Sequence, residues 1–131
     1  MPVIGMNFKS IEAKINKVVK GRIDVNSTPV IKNIEERELN IIGKALGIEF
    51  EFKTVYNPDV GSIQLTGEIL YQTDKAKDIL KEWKKNKKLS SEIVVPILNI
   101  IFRKCLAKTL TISEDLQLPP PIRFPVVKPK E

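Results

Sequence analysis

The chain of 131 residues contains no histidine and a single cysteine, Cys105. Without histidine it cannot build a His-based metal site, a Ser–His or Cys–His nucleophile pair, or the usual proton shuttle near neutral pH. One cysteine excludes an internal disulfide and fits a reducing compartment. Cys105 lies beside Arg103 and Lys104, which would suit an activated thiol. We favour the other interpretation, a small buried hydrophobe on an apolar helix.

Nucleotide-binding loops and paired catalytic carboxylates are also missing. The six glycines are dispersed, so neither Gly-rich phosphate-binding fingerprint can be matched. Glu35, Glu36 and Glu38 are close in sequence, but adjacent strand residues point to opposite faces, so we expect a solvated acidic patch. We therefore predict a protein that is not an enzyme and that holds no cofactor and no metal.

Long hydrophobic runs are absent as well. No stretch of 18 apolar residues occurs, and Met1 to Met6 lack the basic flank and apolar stretch of a signal peptide. These absences predict a soluble, cytoplasmic protein without membrane insertion. Its length and its 42% hydrophobic and 29% charged residues are typical of one globular domain with one core, spanning residues 1–131.

Positive charge is concentrated in one segment of a chain whose formal net charge is +6. Seven lysines lie between Thr73 and Lys88, against three acidic residues. Such a run suits a nucleic-acid interface or a solvated helix face, and we favour the solvated face. Aromatic residues make up only 6% of the chain and fall on apolar strand faces, not between the lysines as base stacking requires. The seven are Lys75, Lys77, Lys81, Lys84, Lys85, Lys87 and Lys88.

Period-two alternation in the first half predicts a four-stranded antiparallel sheet over about residues 11–71. Apolar residues at odd positions predict a long strand from Ile11 to Val25, bent at Gly21, and a turn over residues 26–29. A weaker strand runs from Val30 to about Leu39. The strongest prediction is a hairpin over residues 46–71, turning at 57–61. Its shared apolar face comprises Ile48, Phe50, Phe52, Thr54, Tyr56, Ile63, Leu65, Gly67, Ile69 and Tyr71.

Two helices and an extended tail should follow, giving an α+β fold. The first helix, about 73–87, begins at Thr73 and carries one apolar stripe. The second, about 91–110, is apolar around its circumference, so a single sheet would not cover it and we expect a dimer or tetramer. Three successive prolines predict an extended tail over 116–131. The predicted oligomer interface comprises Ile97, Ile100, Ile101, Phe102 and Cys105.

This element order resembles the SecB family of export chaperones, and the likeness extends to three motifs. Residues 67–71, Gly-Glu-Ile-Leu-Tyr, resemble the glycine-to-aromatic end of the family's fourth strand. Residues 96–98 and 102–106 resemble the proline-containing entry and the Arg-x-Cys-aliphatic centre of its main helix. Residues 116–124 resemble its leucine–proline–phenylalanine tail. The chain would be a divergent, basic member of that family.

The resemblance implies a holdase that captures unfolded or nascent polypeptides without ATP, in apolar grooves of a homo-oligomer. The bacterial family is acidic and docks its motor protein through an acidic surface, so that partner is not expected for this basic chain. A nucleic-acid-binding module and a structural subunit of a larger complex stay open as alternatives. The residues that we predict to contact clients are Phe50, Phe52, Tyr56, Ile69, Trp83 and Ile122.

Overall fold

The computed structural model describes residues 3–18, 20–39 and 43–122, together with 127 and 129. Four strands are followed by a short helix and a long one, which confirms the predicted α+β fold. The elements are β1 (Val3–Ile15), β2 (Asp24–Leu39), β3 (Gly43–Asn57), β4 (Gly61–Tyr71), α1 (Ala76–Asn86) and α2 (Ser91–Asp115).

The sheet is antiparallel throughout, with strand order β1-β4-β3-β2. The predicted β3–β4 hairpin forms its centre, and Phe52 lies opposite Leu65 across the two strands. Because opposite residues in an antiparallel pair share a face, the alternating apolar side chains of both strands form one continuous surface. β1 and β2 are the edges, so each leaves one backbone side without a strand partner among the described residues.

The boundaries of the edge strands differ from the sequence prediction. β1 begins at Val3 and ends at Ile15, so the expected single strand from Ile11 to Val25 is wrong. The β1–β4 ladder ends where the backbone N–H groups of Asn16 and Lys17 both donate to the carbonyl of Val60. Beyond them Gly21 has φ +114°, a conformation that suits glycine.

The turn expected over residues 26–29 is also wrong, because these residues lie inside β2. Asn26 pairs with Val55 and Pro29 with Phe52 on β3. Proline is tolerated here because β2 is an edge strand with no ladder on its outer side. Tertiary pairing with an apolar neighbour therefore outweighs a local preference for a turn.

Each edge strand contains a β-bulge with a lysine at the irregular position. Lys9 of β1 reaches Glu68 at 3.1 Å and Glu49 at 3.6 Å, and Lys32 of β2 reaches Glu51 at 3.0 Å. All three glutamates belong to the central hairpin and lie on the sheet face opposite the core. A lysine on an edge strand discourages uncontrolled pairing with other strands.

α2 packs across β2, β3 and β4 and closes the core. Its buried residues are spaced four apart, so they form a single ridge along the helix. Asn99, Arg103 and Lys104 are exposed, so the expectation of a helix that is apolar on all sides is wrong. The buried ridge comprises Ile97, Ile101, Cys105, Thr109 and Ser113.

The helices start and end near the predicted positions. α1 begins at Ala76, three residues after Thr73, whose Oγ1 accepts a hydrogen bond from the Lys75 N–H in the preceding turn. The stripe formed by Ala76, Ile79, Leu80 and Trp83 is confirmed, with Ile79 and Trp83 buried. α2 continues to Asp115, five residues beyond the prediction.

The first residues of the tail fold back against the core at Leu118 and Pro119. Leu118 is buried, its backbone N–H donates to the Ser113 carbonyl, and the Tyr56 hydroxyl donates to the Pro119 carbonyl at 2.9 Å. Residues 123–126, 128, 130 and 131 of the predicted tail lie outside the described residues.

Gly67 provides a test of how tightly β1, β3 and β4 pack. A Cβ at this position would overlap the Asn7 carbonyl oxygen and lie 2.7 Å from the Phe50 ring. We expect Gly67→Ala to lower the free energy of unfolding by about 1–3 kcal/mol, as over-packing typically does. Gly5→Ala is the control, because its Cβ would be at an ordinary 3.7 Å from Leu70. Urea denaturation of both variants checks this, and equal stabilities would contradict it.

Candidate functional site: an apolar groove and an uncovered sheet edge

Five of the six predicted client-contact residues lie in the core. Phe50, Phe52, Tyr56 and Ile69 are at most 1% exposed, and Trp83 is 6% exposed. Phe52 contacts α2, because its ring and that of Phe102 meet edge to face with their centroids 5.6 Å apart. Of this set, therefore, only Ile122, at 40%, is exposed in the protomer.

The predicted interface residues on α2 fall into two groups. Ile97, Ile101 and Cys105 are fully buried against the sheet of their own chain. Ile100 and Phe102 are half-buried on the flanks of the helix. Three of the five residues are therefore already covered within one protomer.

An open apolar groove of about 320 Å³ lies where β2, α1 and the first turns of α2 meet. We call it the Trp83 groove. The sheet supplies Pro29 and Ile31 from β2, and α2 supplies Val94 and Leu98. Its complete lining is Pro29, Ile31, Trp83, Lys87, Lys88, Leu89, Val94 and Leu98.

Positive charge borders this groove at the end of α1. Lys87 has φ +54°, a left-handed conformation that ends the helix, and its N–H donates to the Trp83 carbonyl at 2.8 Å. The reversal places the Lys87 ammonium 5.5 Å from the centre of the Trp83 ring, within the range of a cation–π contact. Lys87 and Lys88 are both exposed, so they present charge beside an apolar surface.

The lysine-rich segment as a whole forms an exposed face. None of its seven lysines, Lys87 and Lys88 included, takes part in an ion pair within the part of the chain that the structure describes. All seven are exposed, as the interpretation of a solvated face expects. We call this set of seven the lysine row.

A second apolar surface lies along β1, and we call it the β1 strip: Phe8, Ile11, Ala13 and Ile15. Register with β4 places these residues on the same face as the core, opposite Gly67, Leu65, Ile63 and Gly61. Phe8, Ile11 and Ile15 are nevertheless 37%, 47% and 43% exposed. α2 lies over the other three strands and leaves this margin of the apolar face uncovered.

Some ionisable groups outside these surfaces are paired on the polar face of the sheet. Burial by itself raises the pKa of Glu68, but hydrogen bonds from Lys9 and Arg37 more than offset this and the pKa is lowered overall. Glu35 and Glu36, half exposed, pair with Arg37 and Lys44, as expected of a solvated acidic patch.

Cys105 is buried, as predicted, and burial raises its pKa to about 12. A thiol in that state is protonated near neutral pH and is a poor nucleophile.

The sequence indicates Trp83 as a candidate but not the groove around it. Its turn and strand signals place Pro29 in a turn and Ile31 in a weak strand, and they do not distinguish Val94 and Leu98 from other apolar residues of the helix. The alternation of Ile11, Ala13 and Ile15 did indicate a shared apolar face, but not that it would stay uncovered.

The chain matches no protein-family model, no curated protein and no solved structure. Among the described residues, no helix combines the length and apolarity needed to cross a membrane. Within the same residues, no three His, Cys, Asp or Glu side chains come together in an arrangement that suits a metal ion.

Tyr56 links the core to the tail, and its titration tests that contact. Burial raises the pKa of Tyr56 to about 12, against about 10 in an unfolded chain. The folded state therefore gains stability that is fully present below pH 10 and is lost as the pH rises through 12.

We expect Tyr56→Phe to cost about 1 kcal/mol at pH 8 through the lost hydrogen bond to Pro119. The difference in free energy of unfolding between wild type and variant should narrow between pH 10 and 12, because only the wild type loses the contribution of the buried phenol there. Urea denaturation at pH 8 and 11.5 measures both effects, and parallel pH profiles would exclude this role for Tyr56.

Proposed function

We propose that this protein is a non-catalytic, ATP-independent holdase of the cytoplasm, similar to SecB-like chaperones, that binds unfolded polypeptide segments as a homo-oligomer. The observation that carries the proposal is the Trp83 groove, an open apolar surface beside the unpaired outer edge of β2. An unfolded segment is bound through exposed apolar side chains, which such a surface removes from water.

The position of the groove suits an extended chain. A strand that adds to a sheet edge gains backbone hydrogen bonds and places alternate side chains into neighbouring pockets. Pro29 and Ile31 of the edge strand β2 both line the groove. A client segment paired beside β2 would therefore direct its apolar side chains toward Val94 and Leu98.

Clients would therefore contact the open groove at the margin of the core, and not the predicted client residues that are buried within it. Phe52 and Phe50 lie opposite Pro29 and Ile31 of the groove on the neighbouring strand, and Trp83 forms part of its wall. Ile122 is exposed and remains a candidate for direct contact.

Two adjacent valines give a matched test of the groove. Val94 lines it, whereas Val95 is 50% exposed and lies outside the lining. We expect Val94→Glu to weaken protection of a denatured client from aggregation about tenfold, since burying a valine contributes roughly 1.5 kcal/mol. Val95→Glu should protect as the wild type does.

Light scattering from a chemically denatured client, titrated to a near-stoichiometric ratio, measures the protection. Circular dichroism establishes that both variants are folded. A wild-type protein without protection, or equal effects of the two substitutions, would refute the holdase proposal.

The exposed lysine row supports nucleic-acid binding as a second candidate function. For binding that depends on phosphate contacts, the logarithm of the association constant falls linearly with the logarithm of the salt concentration. We expect any such binding to be reduced by the double substitution Lys84→Glu and Lys85→Glu, which leaves the groove lining unchanged.

Gel-shift titrations at 50 and 200 mM salt, with the wild type and this double variant, check the second candidate. Binding that is insensitive both to salt and to the substitutions would exclude it.

A further inference from the structure

The Trp83 groove is apolar along its walls but positively charged at its rim. Six of its eight lining residues are apolar, and the other two are Lys87 and Lys88. Among the described residues, no acidic side chain belongs to this lining, and the acidic residues nearest to it along the chain, Glu82 and Glu92, lie outside it. The groove therefore offers its occupant two cations beside an apolar surface.

Backbone geometry and the Trp83 ring together hold Lys87 at this rim. Its φ of +54° ends α1, and its ammonium lies 5.5 Å from the centre of the indole ring. Neither Lys87 nor Lys88 forms an ion pair within residues 3–18, 20–39 and 43–122. A cation–π contact does not use up the three N–H donors of an ammonium, so both lysines can donate to an anion.

We propose that the Trp83 groove selects client segments that combine apolar side chains with an aspartate or a glutamate. This inference rests on the proposed function, because it names the chemistry of the segment that the groove binds. The apolar side chains contact Val94 and Leu98, and the carboxylate accepts hydrogen bonds from Lys87 and Lys88.

An extended segment beside β2 can make both kinds of contact at once. Side chains two positions apart in a strand lie on the same face, about 7 Å from each other. Lys88 is the direct neighbour of Leu89, which lines the apolar part of the groove. An acidic residue two positions from an apolar one therefore reaches the charged rim while its neighbour stays in the apolar part.

A basic segment is disfavoured by the same arrangement. Its lysines or arginines would meet Lys87 and Lys88, and the lining contains no carboxylate that could compensate. Selectivity arises from such repulsion as well as from attraction. Charge therefore separates two segments that hydrophobicity alone would not distinguish.

Trp83 is the only tryptophan of the chain and lines the groove, so its fluorescence reports occupation of the groove directly. Two end-blocked peptides without tryptophan serve as probes, with the same apolar residues and with glutamates in one where the other has lysines. We expect the acidic peptide to shift the Trp83 emission and to bind about tenfold more tightly than the basic one at low salt. The preference should shrink at high salt, because salt screens exposed charges.

Two pairs of neighbouring lysines give a matched test of the rim. Lys87→Asn with Lys88→Gln removes both rim charges, and asparagine tolerates the left-handed backbone at position 87. Lys84→Gln with Lys85→Gln removes two exposed charges outside the lining. The rim variant should bind the acidic peptide about fivefold more weakly than the wild type. The control variant should bind it as the wild type does.

Isothermal titration calorimetry measures these affinities, and circular dichroism establishes that both variants are folded. Equal affinity of the wild type for the two peptides, or equal effects of the two double variants, would overturn the charge selection. A wild type that still protects a denatured client would then leave the holdase proposal standing. If neither peptide binds and no client is protected, both proposals fail.

A third peptide tests whether the groove belongs to the chain itself. Residues 122–131 contain three basic residues and one acidic residue, together with apolar ones. Because this tail sequence is basic, we expect it to bind more weakly than the acidic peptide. Tighter binding of the tail peptide would assign the groove to the tail of the same chain or of a second copy, and would overturn the proposal.

Discussion

The structure depends on the burial of one wide apolar sheet face beneath a single long helix. α2 contributes a ridge of side chains four residues apart, and this ridge covers the three strands β2, β3 and β4. Burying apolar surface is the main favourable contribution to folding, so the helix is placed where the central hairpin is most apolar. Four strands nevertheless exceed the width of one helix. Two apolar regions stay open: the Trp83 groove, where β2 meets α1 and α2, and the β1 strip at the other margin of the sheet.

This division assigns different roles to residues of similar chemistry. Phe50 and Phe52 of the central strand β3 are core, whereas Phe8, on the same sheet face but at the edge, is 37% exposed. The rings of Phe8 and Phe50 meet edge to face at 6.3 Å, so core and exposed strip are continuous. Aromatic side chains therefore do not mark a binding site here. Their position relative to the helices decides whether they are buried or exposed.

Charged side chains also fall into two sets, one paired on the polar face of the sheet and one exposed without an ion pair among the described residues. On the polar face of the sheet, the lysines at the two bulges pair with glutamates of the central hairpin, and Arg37 pairs with Glu68. Gly47 makes room for that last pair, because a Cβ there would overlap the Glu68 carboxylate. The seven lysines of the lysine row stay outside this network and are exposed.

The sequence by itself determined the fold class, the central hairpin, the stripe of α1 and the burial of Cys105, because each follows from local periodicity and turn chemistry. Tertiary structure decided where the edge strands begin and end, since pairing with an apolar neighbour carried β2 through a turn-like segment that contains Pro29. Tertiary structure also decided which apolar residues belong to the core. The groove is formed by residues of β2, α1 and α2 that are distant in sequence. Periodicity within one segment cannot predict it, because burial depends on where the helices pack on the sheet.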